Sequence, residues 1–161
     1  MQAGGRRFDP VNLHQKLMYK SRYIQYVNLP SVPEEIIQSL PVDINVYEKQ
    51  TQQNYHWTDS FNEKLNVWAQ KNISQEIYFA FQLMTGDLPP HKDIGTLTKF
   101  VYILNTGGSN VVTKFWDDDF NLLDEYIIEP QRWHILKADT YHSVEGVETD
   151  KFRWSVTARI F

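Results

Sequence analysis

The segment TKFVYIL at residues 98–104, followed by NTGG at residues 105–108, decides the fold. Its first half is rich in aromatic and β-branched side chains, which pack well on a pleated sheet and therefore predict a β-strand. Asparagine and the paired glycines then favour a tight turn. Val111, Val112 and Phe115 predict a second strand directly after that turn. The segment thus predicts a strand, a turn and a returning strand.

Similar short strands lie on both sides of this pair. Four further segments have the same texture, at about residues 75–84, 126–129, 133–136 and 152–160. Short strands at regular spacing, separated by turn residues, are typical of a sandwich or a barrel. We therefore predict a mainly β fold whose core lies in about residues 75–161.

The first part of the chain predicts helices instead. SVPE at residues 31–34 is a good helix opening, with an N-cap, an early proline and a capping-box glutamate, and Pro41 ends that helix. A second helix is expected from about residue 59 to 71, opened by Ser60. At 161 residues, one domain is the natural expectation. About residues 1–74 are then predicted to be flanking helical support for the β core.

Composition excludes several classes of function. The chain has no cysteine, so disulfides, zinc–thiolate sites and cysteine nucleophiles are ruled out. A formal net charge of −4 gives no reason to expect nucleic-acid binding, which needs clustered Lys and Arg. There is no signal-peptide pattern and no apolar run of about 18 residues, the length that spans a bilayer. We expect a soluble, cytoplasmic protein that binds neither nucleic acid nor membrane, and its oligomeric state stays open.

A candidate metal site begins in PPHKD at residues 89–93. Residues two apart on a strand point to the same side, so His91 and Asp93 can present two ligands to one point. His142 is the candidate third ligand. The other histidines compete for that position: His14, His56 and His134. Two imidazoles and one carboxylate leave coordination positions open, which is the arrangement of non-haem Fe(II) oxygenases.

An inward-facing arginine supports this choice. In the strand at residues 152–160, Arg153, Ser155 and Thr157 share one face, while the alternate residues form an apolar face. A buried guanidinium is costly unless an anion meets it, and a carboxylate would accept two parallel hydrogen bonds from its fork. We therefore predict an anion beside Arg153, with an internal acidic residue as the alternative partner. Arg159 lies roughly 20 Å along the same face and is interpreted as structural or as part of the rim.

The pattern as a whole resembles the 2-oxoglutarate/Fe(II)-dependent dioxygenase superfamily. Its elements follow in this order: His91-x-Asp93, His142, Arg153-x-Ser155. RWSVT at residues 153–157 resembles the strand after the distal histidine in the prolyl-hydroxylase-like branch. Residues 102–115 resemble that branch's strand and Gly-Gly turn, and the segment around His142 is also similar to aspartyl/asparaginyl hydroxylase-like proteins. The resemblance covers about residues 75–161.

The resemblance implies a double-stranded β-helix, or jelly roll, forming a single 2-oxoglutarate/Fe(II) oxygenase domain. Fe(II) is expected on His91, Asp93 and His142, and the distal carboxylate of 2-oxoglutarate on Arg153, helped by Ser155. The implied activity is hydroxylation of an unactivated C–H bond with O2, releasing succinate and CO2, with ascorbate as a reductant. A prolyl or other amino-acid or protein substrate is implied, while peptides and small molecules stay open.

Further residues are candidates for contacts in this site. Tyr102 is predicted either to reach the co-substrate carboxylate with its hydroxyl or to belong to the barrel core. Tyr78 and Gln82 share one face of the preceding strand and are candidates for contact with substrate or co-substrate. Residues 55–57 are a candidate lid. The acidic run at residues 117–119 is interpreted as a solvated turn, or else as a contact for a basic substrate.

Two other functions fit parts of the pattern. A non-catalytic jelly-roll module that binds a peptide or carbohydrate would use the same fold with a vestigial metal site. A cupin-type metal enzyme that does not use 2-oxoglutarate would leave Arg153 without a role. Retention of Fe(II) that chelators remove separates the enzyme from the binding module.

Overall fold

Two antiparallel sheets dominate the computed structural model, which describes residues 21–40, 50–52 and 55–161. The strands, in chain order, are β1 (Ile24–Val27), β2 (Gln50–Gln52), β3 (Tyr55–Phe61), β4 (Phe79–Met84), β5 (Leu88–His91), β6 (Thr98–Thr106), β7 (Val112–Trp116), β8 (Leu122–Tyr126), β9 (Trp133–Lys137), β10 (Tyr141–Glu145) and β11 (Arg153–Ile160). The described residues also form the helices α1 (Glu34–Ile37) and α2 (Glu63–Asn72). Neither helix reaches the length and apolarity that a bilayer crossing requires.

The strand order is that of a jelly roll. The larger sheet has the order β1-β9-β6-β11-β4-β3-β2, and the smaller sheet has the order β5-β10-β7-β8. From β4 onward the pairing is nested, because β7 pairs with β8, β6 with β9, β5 with β10 and β4 with β11. A long hairpin folded over in this way winds into a double-stranded β-helix. The predicted fold class is therefore confirmed.

The segment that decides the fold forms β6 and the turn after it. β6 lies between β9 and β11, near the middle of the larger sheet. In the turn, Gly107 has a φ of +80°, and a Cβ at this position would lie 2.8 Å from the backbone nitrogen of Arg153. Glycine is therefore required for the turn to pack against the first residue of β11.

Apolar clusters lie on both sides of the larger sheet. One cluster lies between this sheet and α2 and includes Phe79, Phe81, Phe100, Tyr102, Trp133, Val156, Leu65 and Ala69. A second cluster lies between the two sheets and includes Val101, Ile103, Phe115 and Leu136. Alternate residues of β6 contribute to the two clusters, as the side-chain period of a strand requires. We call the two faces of the larger sheet the helix side and the barrel side.

The N-terminal part contains strands as well as the expected helices. β1 pairs with β9, and β3 pairs with β4, so both extend the larger sheet. α1 is a single turn that begins after Pro33, and no side chain caps it, so the predicted Ser31 cap is wrong. Pro41 and His14 lie outside the described residues. β1 and β10 were not among the predicted strands, and β8 lies a few residues before its predicted place. β5 ends at His91, so the strand expected to carry both His91 and Asp93 does not extend to Asp93.

The N-terminus of α2 also differs from the prediction. Residues 57–61 of β3 pair with β4, so the predicted start near residue 59 and the Ser60 cap are wrong. The helix instead begins after Asn62, whose side-chain oxygen accepts a hydrogen bond from the Leu65 backbone N–H at 2.9 Å. Asparagine is among the strongest N-cap residues because its oxygen satisfies a free N–H in the first turn.

Candidate metal centre

Neighbouring strands of the smaller sheet bring two histidines together. His91 of β5 and His142 of β10 are Cα partners, and their ring centroids lie 4.4 Å apart. Asp93 follows β5 in a turn, where its backbone N–H donates to the Ala138 carbonyl at 3.1 Å. One ligand atom from each of the three side chains lies within 4.8 Å of the others. The structure thus brings together the three residues predicted as ligands.

Hydrogen bonds orient both imidazoles for coordination. Nδ1 of His91 lies 2.9 Å from the Pro89 carbonyl oxygen, and Nδ1 of His142 lies 2.9 Å from that of Thr140. A carbonyl can only accept, so each Nδ1 carries a ring proton and Nε2 is the atom of each ring that would bind a metal. Nε2 of His91 lies 3.4 Å from Oδ1 of Asp93, so this nitrogen and the carboxylate face the same space.

The surroundings hold these groups in metal-binding forms. Burial lowers the pKa of His142 to about 4, and repulsion from His91 adds to this effect. Burial would raise the pKa of Asp93, but the hydrogen bond with His91 and the charge of Lys99 outweigh it and hold that pKa below its ordinary value. Near neutral pH the cluster therefore offers a neutral imidazole at His142 and an ionised carboxylate, as metal binding requires.

An unsatisfied oxygen makes the cluster suited to a cation. Oδ2 of Asp93 is buried and has no hydrogen-bond partner in the described part of the chain, which is rare for a polar atom inside a protein. The His91 side chain is 28% exposed, so the cluster is open to solvent on one side. Two imidazoles and one carboxylate with an open side are a donor set that fits Fe(II).

The competing histidine in the larger sheet is placed elsewhere. His134 of β9 is 1% exposed and lies near the rings of Tyr26 and Tyr126, with centroid distances of 6.1 and 5.9 Å. It does not belong to the group of converging ligand atoms found in the described ranges. The His56 side chain lies outside the described part of the chain.

Arg153 is buried on the barrel side at the start of β11. It is 4% exposed. Burial lowers its pKa to about 10, whereas a carboxylate beside it would raise that pKa. Among the described residues no carboxylate forms an ion pair with it, so the alternative of an internal acidic partner is not found there. A buried guanidinium without a described anionic partner is a candidate anion site.

Polar neighbours share the barrel side with this arginine. Ser155 and Gln82 are both buried and are Cα partners on the adjacent strands β11 and β4. The hydroxyl oxygen of Thr113, on β7 of the opposite sheet, is buried without a hydrogen-bond partner among the residues that the structure describes. Tyr78 lies outside β4 and is 67% exposed. Of the residues predicted to act with Arg153, Ser155 and Gln82 therefore lie with it on the barrel side, whereas Tyr78 lies at the surface.

Strand alternation places Tyr102 on the other face. It lies opposite Trp133 and Val156, and its ring centroid is 4.9 Å from that of Trp133 in the helix-side cluster. The structure therefore does not bring Tyr102 together with Arg153 and Ser155. The alternative, a position in the apolar core, is the one observed.

The acidic run forms a local turn. Oδ1 of Asp117 accepts hydrogen bonds from the backbone N–H groups of Asp119 and Asn121 at 3.0 and 2.8 Å. Nζ of Lys92 lies 2.7 Å from Oδ1 of Asp118. Lys92 lies between the candidate ligands His91 and Asp93, so this ion pair links that segment to the turn between β7 and β8. Residues 55–57 belong to the backbone of β3, and their role as a lid stays a prediction.

Lys99 is a neighbour of the metal centre that sequence patterns did not single out. Its Nζ lies 3.5 Å from Oδ2 of Asp93, and the residue is 6% exposed. A signal was present, because Lys99 alternates with Val101 and Ile103 and so shares their inward face. A lysine in register with two buried apolar residues indicates a cation that points into the protein.

Comparisons with known proteins support the fold. No protein-family model and no curated protein matches the sequence. Among solved structures, the non-heme alpha ketoglutarate dependent epimerase SnoN from nogalamycin biosynthesis is similar with a TM-score of 0.53 and 13% identity, covering 94% of this chain and 83% of that one. EvdMO1 is similar with a TM-score of 0.51 and 12% identity, covering 92% of this chain and 49% of that one.

Other matched structures are more distant. An oxidoreductase of the 2OG-Fe(II) oxygenase family from Burkholderia pseudomallei has a TM-score of 0.49 and 9% identity, covering 78% of this chain and 75% of that one. The chain spans only 29% of the coconut allergen cocosin and 61% of an Fe(II)-HppE structure. The structural neighbours thus include 2OG-Fe(II) oxygenase family proteins, and identities this low establish a shared fold alone.

Proposed function

We propose that the chain is a 2-oxoglutarate- and Fe(II)-dependent dioxygenase that hydroxylates an unactivated C–H bond and releases succinate and CO2. One observation carries the proposal. The same barrel contains a His–Asp–His cluster and a buried Arg153 that lacks a carboxylate partner among the described residues. A metal site alone would fit many enzymes, whereas a metal site with an anion site on the inward face of β11 fits a co-substrate that carries carboxylates.

Each of these residues would have a distinct task. His91, Asp93 and His142 would hold Fe(II), which supplies the oxidising chemistry when it is bound with the co-substrate and O2. Arg153 would bind the distal carboxylate of 2-oxoglutarate through two parallel hydrogen bonds, and the Ser155 hydroxyl would donate another. The barrel walls would exclude water from the reacting groups.

Burial makes Arg153 expensive in the absence of a ligand. An ionised group held in an apolar interior without a partner costs several kcal/mol or neutralises itself. The lowered pKa of Arg153 reports this cost. A bound carboxylate would offset this cost. Binding is therefore expected to stabilise a fold that the buried charge of Arg153 otherwise destabilises.

The finer features of the activity are also proposals. We expect a prolyl or other amino-acid substrate, as in the prolyl-hydroxylase-like branch, and ascorbate as the reductant that maintains Fe(II). We also expect residues 1–161 to act as one domain, in the cytoplasm.

Succinate release tests the proposed function. Purified protein with Fe(II), 2-oxoglutarate and ascorbate should release succinate above a blank without enzyme. Replacing His91, Asp93 or His142 by Ala should bring release down to the blank. Asp150→Ala removes an exposed carboxylate elsewhere and should retain the wild-type rate.

Metal retention separates this enzyme from a non-catalytic binding module. The enzyme should retain Fe(II) that chelators remove, and it should show a new absorption band when 2-oxoglutarate is added without oxygen. A binding module should show neither property. Undiminished succinate release by a protein in which His91, Asp93 and His142 are all replaced by Ala would contradict the proposed function.

A further inference from the structure

Two cations face each other on the barrel side of the larger sheet, next to the metal centre. Lys99 of β6 and Arg159 of β11 are Cα partners, so their side chains leave the sheet on the same face, with Cβ atoms about 5 Å apart. Lys99 is buried, while the Arg159 side chain is 39% exposed. Like charges placed directly opposite each other destabilise a sheet, so this arrangement requires anions.

Two carboxylates meet this requirement only loosely. Oδ2 of Asp93 lies 3.5 Å from Nζ of Lys99, and Oδ2 of Asp59 lies 3.4 Å from Nη2 of Arg159. Hydrogen bonds between oppositely charged groups are usually about 2.7–2.9 Å long. Oδ2 of Asp93 also makes no hydrogen bond with any described residue. Each cation therefore has one carboxylate partner among the described residues, at a distance longer than that of a short charged hydrogen bond.

Loading the proposed iron site would change the charge balance. Without a metal, the two cations and the two carboxylates cancel. Because the distal carboxylate of 2-oxoglutarate would cancel the charge of Arg153, a divalent cation on Asp93 would add two positive charges and the second carboxylate only one negative charge. One positive charge then stays uncompensated near Lys99. In a buried site such a charge is costly until an anion reaches it.

We infer that the prime substrate is a small organic anion whose carboxylate or phosphate group binds between Lys99 and Arg159, an inference that rests on the proposed function. Lys99 contacts the ligand Asp93, so an anion held there would bring its neighbouring C–H bonds near the metal. Inside a protein chain only acidic or phosphorylated side chains carry such a group, whereas every free amino acid carries a carboxylate. The inference therefore favours a free small molecule over a peptide-bonded substrate.

An amino group on the same molecule would also find a partner. Asp59 lies beside Arg159 and accepts a hydrogen bond from the side chain of Gln82. Its carboxylate would pair with an ammonium group once the substrate's own anion occupies Arg159. A free amino acid therefore offers a carboxylate to Lys99 and Arg159 and an ammonium group to Asp59.

The co-substrate is a second source of carboxylate that Lys99 can meet. Arg159 distinguishes the two sources, because it lies six residues from Arg153 on β11, or roughly 20 Å along an extended strand. Binding of the 2-oxoglutarate analogue to Arg159→Gln tells the two sources apart. A co-substrate held by Arg153 should bind this variant as it binds the wild type, whereas a substrate anion should bind it more weakly.

Matched acid and amide probes test the inference. The full chain is loaded with Mn(II) and an inert 2-oxoglutarate analogue, and probe binding is measured by calorimetry. The probes are L-proline against L-prolinamide, phenylacetate against phenylacetamide, and inorganic phosphate. We expect each acid to bind about 10-fold or more tightly than its amide, and Lys99→Met or Arg159→Gln to remove that preference.

Lys137→Met is the control variant, because it removes one positive charge, as Lys99→Met does. Lys137 is exposed on β9 and lies opposite Thr98, so it belongs to the face away from Lys99. Lys137→Met should leave the preference for acids unchanged. Arg159 lies near the surface, so Arg159→Gln is expected to fold even if Lys99→Met does not.

The outcomes separate this inference from the proposed function. Equal binding of acid and amide would overturn the inference, and so would a preference that survives in both variants. Weaker binding of the 2-oxoglutarate analogue to Lys99→Met, with the acid probes unaffected, would assign Lys99 to the co-substrate and also overturn it. If the wild-type protein retains neither Mn(II) nor the analogue, the proposed function itself fails.

Discussion

The two faces of the larger sheet differ in what they contribute. Phe100 is fully buried in the helix-side cluster, whereas Lys99, one residue earlier, is buried beside the candidate metal ligand Asp93. The same alternation recurs on β11, where Val156 packs on the helix side and Ser155 lies on the barrel side. Burial of apolar groups stabilises a fold, while burial of charged groups costs free energy unless partners are present. The helix side therefore stabilises the fold, whereas the barrel side buries charged and polar side chains at a cost in stability.

The largest effect on stability is expected from the helix side. Phe100→Ala removes a fully buried ring and should lower the free energy of unfolding by about 3–5 kcal/mol. Chemical denaturation of the metal-free protein measures this change. Phe161→Ala, at a position that is 80% exposed, is the control and should change stability by less than about 0.5 kcal/mol. Equal losses in both variants would show that the helix side is not the main source of stability.

The barrel side should instead make stability depend on pH. Burial holds the pKa of His142 at about 4 in the folded protein, below its ordinary value of 6.5. Between these values the unfolded chain takes up a proton that the folded protein does not, so stability is full above pH 6.5 and falls as the pH drops toward 4. The loss amounts to at most about 3 kcal/mol.

Denaturation of the metal-free protein at several pH values measures that loss. His142→Asn should remove most of the slope in this window. Asp93 contributes at lower pH, because its folded pKa lies below its ordinary value of 3.8 and its stabilisation is lost only as the pH falls below that value. A wild-type protein with constant stability from pH 7 to pH 4 would contradict the expected burial of a neutral imidazole.

Arg153→Met should separate ligand binding from stability. Loss of the charged fork should weaken 2-oxoglutarate binding by about 10–100-fold, while Fe(II) still binds. The ligand-free protein should be as stable as the wild type or more stable, because a buried charge without a described partner has been removed. Titration of the co-substrate and denaturation of the same sample measure the two effects. Arg153→Lys keeps the charge without the fork and should restore only part of the affinity.

The smallest effect is expected at Tyr102. Its side chain packs against Trp133 on the helix side, so Tyr102→Phe should change stability by less than about 1 kcal/mol. Binding of 2-oxoglutarate should stay at the wild-type value. A clear loss of co-substrate affinity in this variant would mean that the hydroxyl reaches the barrel side after all.

Residue types and chain order were enough to select the candidate ligands. His91 and Asp93 were recognisable as a pair because they are two residues apart, and Arg153 stood out as a charge on a strand whose other face is apolar. Asp59 and Lys99 were missed, because their proximity to Asp93 and Arg159 depends on the pairing of β3, β4, β11 and β6 rather than on local spacing. Asn62 was missed as a helix cap because the helix was expected to begin at about residue 59, where β3 still continues.

By itself the sequence determined which residues point together. A side chain alternates along a strand whatever the strand packs against, so Arg153 and Ser155 had to share one face and Trp154 and Val156 the other. The turn at residues 105–108 was likewise recognisable locally, because asparagine and paired glycines favour tight turns.

Only the tertiary structure decided which face looks into the barrel and which strands become neighbours. β6 is buried on both sides, so apolar residues occur on both of its faces. The sequence therefore does not show which face looks into the barrel, and Tyr102 was assignable to either one. The choice of His142 over His134 has the same origin. β10 pairs with β5 and therefore with His91, whereas β9 pairs with β6 and β1, and this pairing depends on how distant parts of the chain bury their surfaces together.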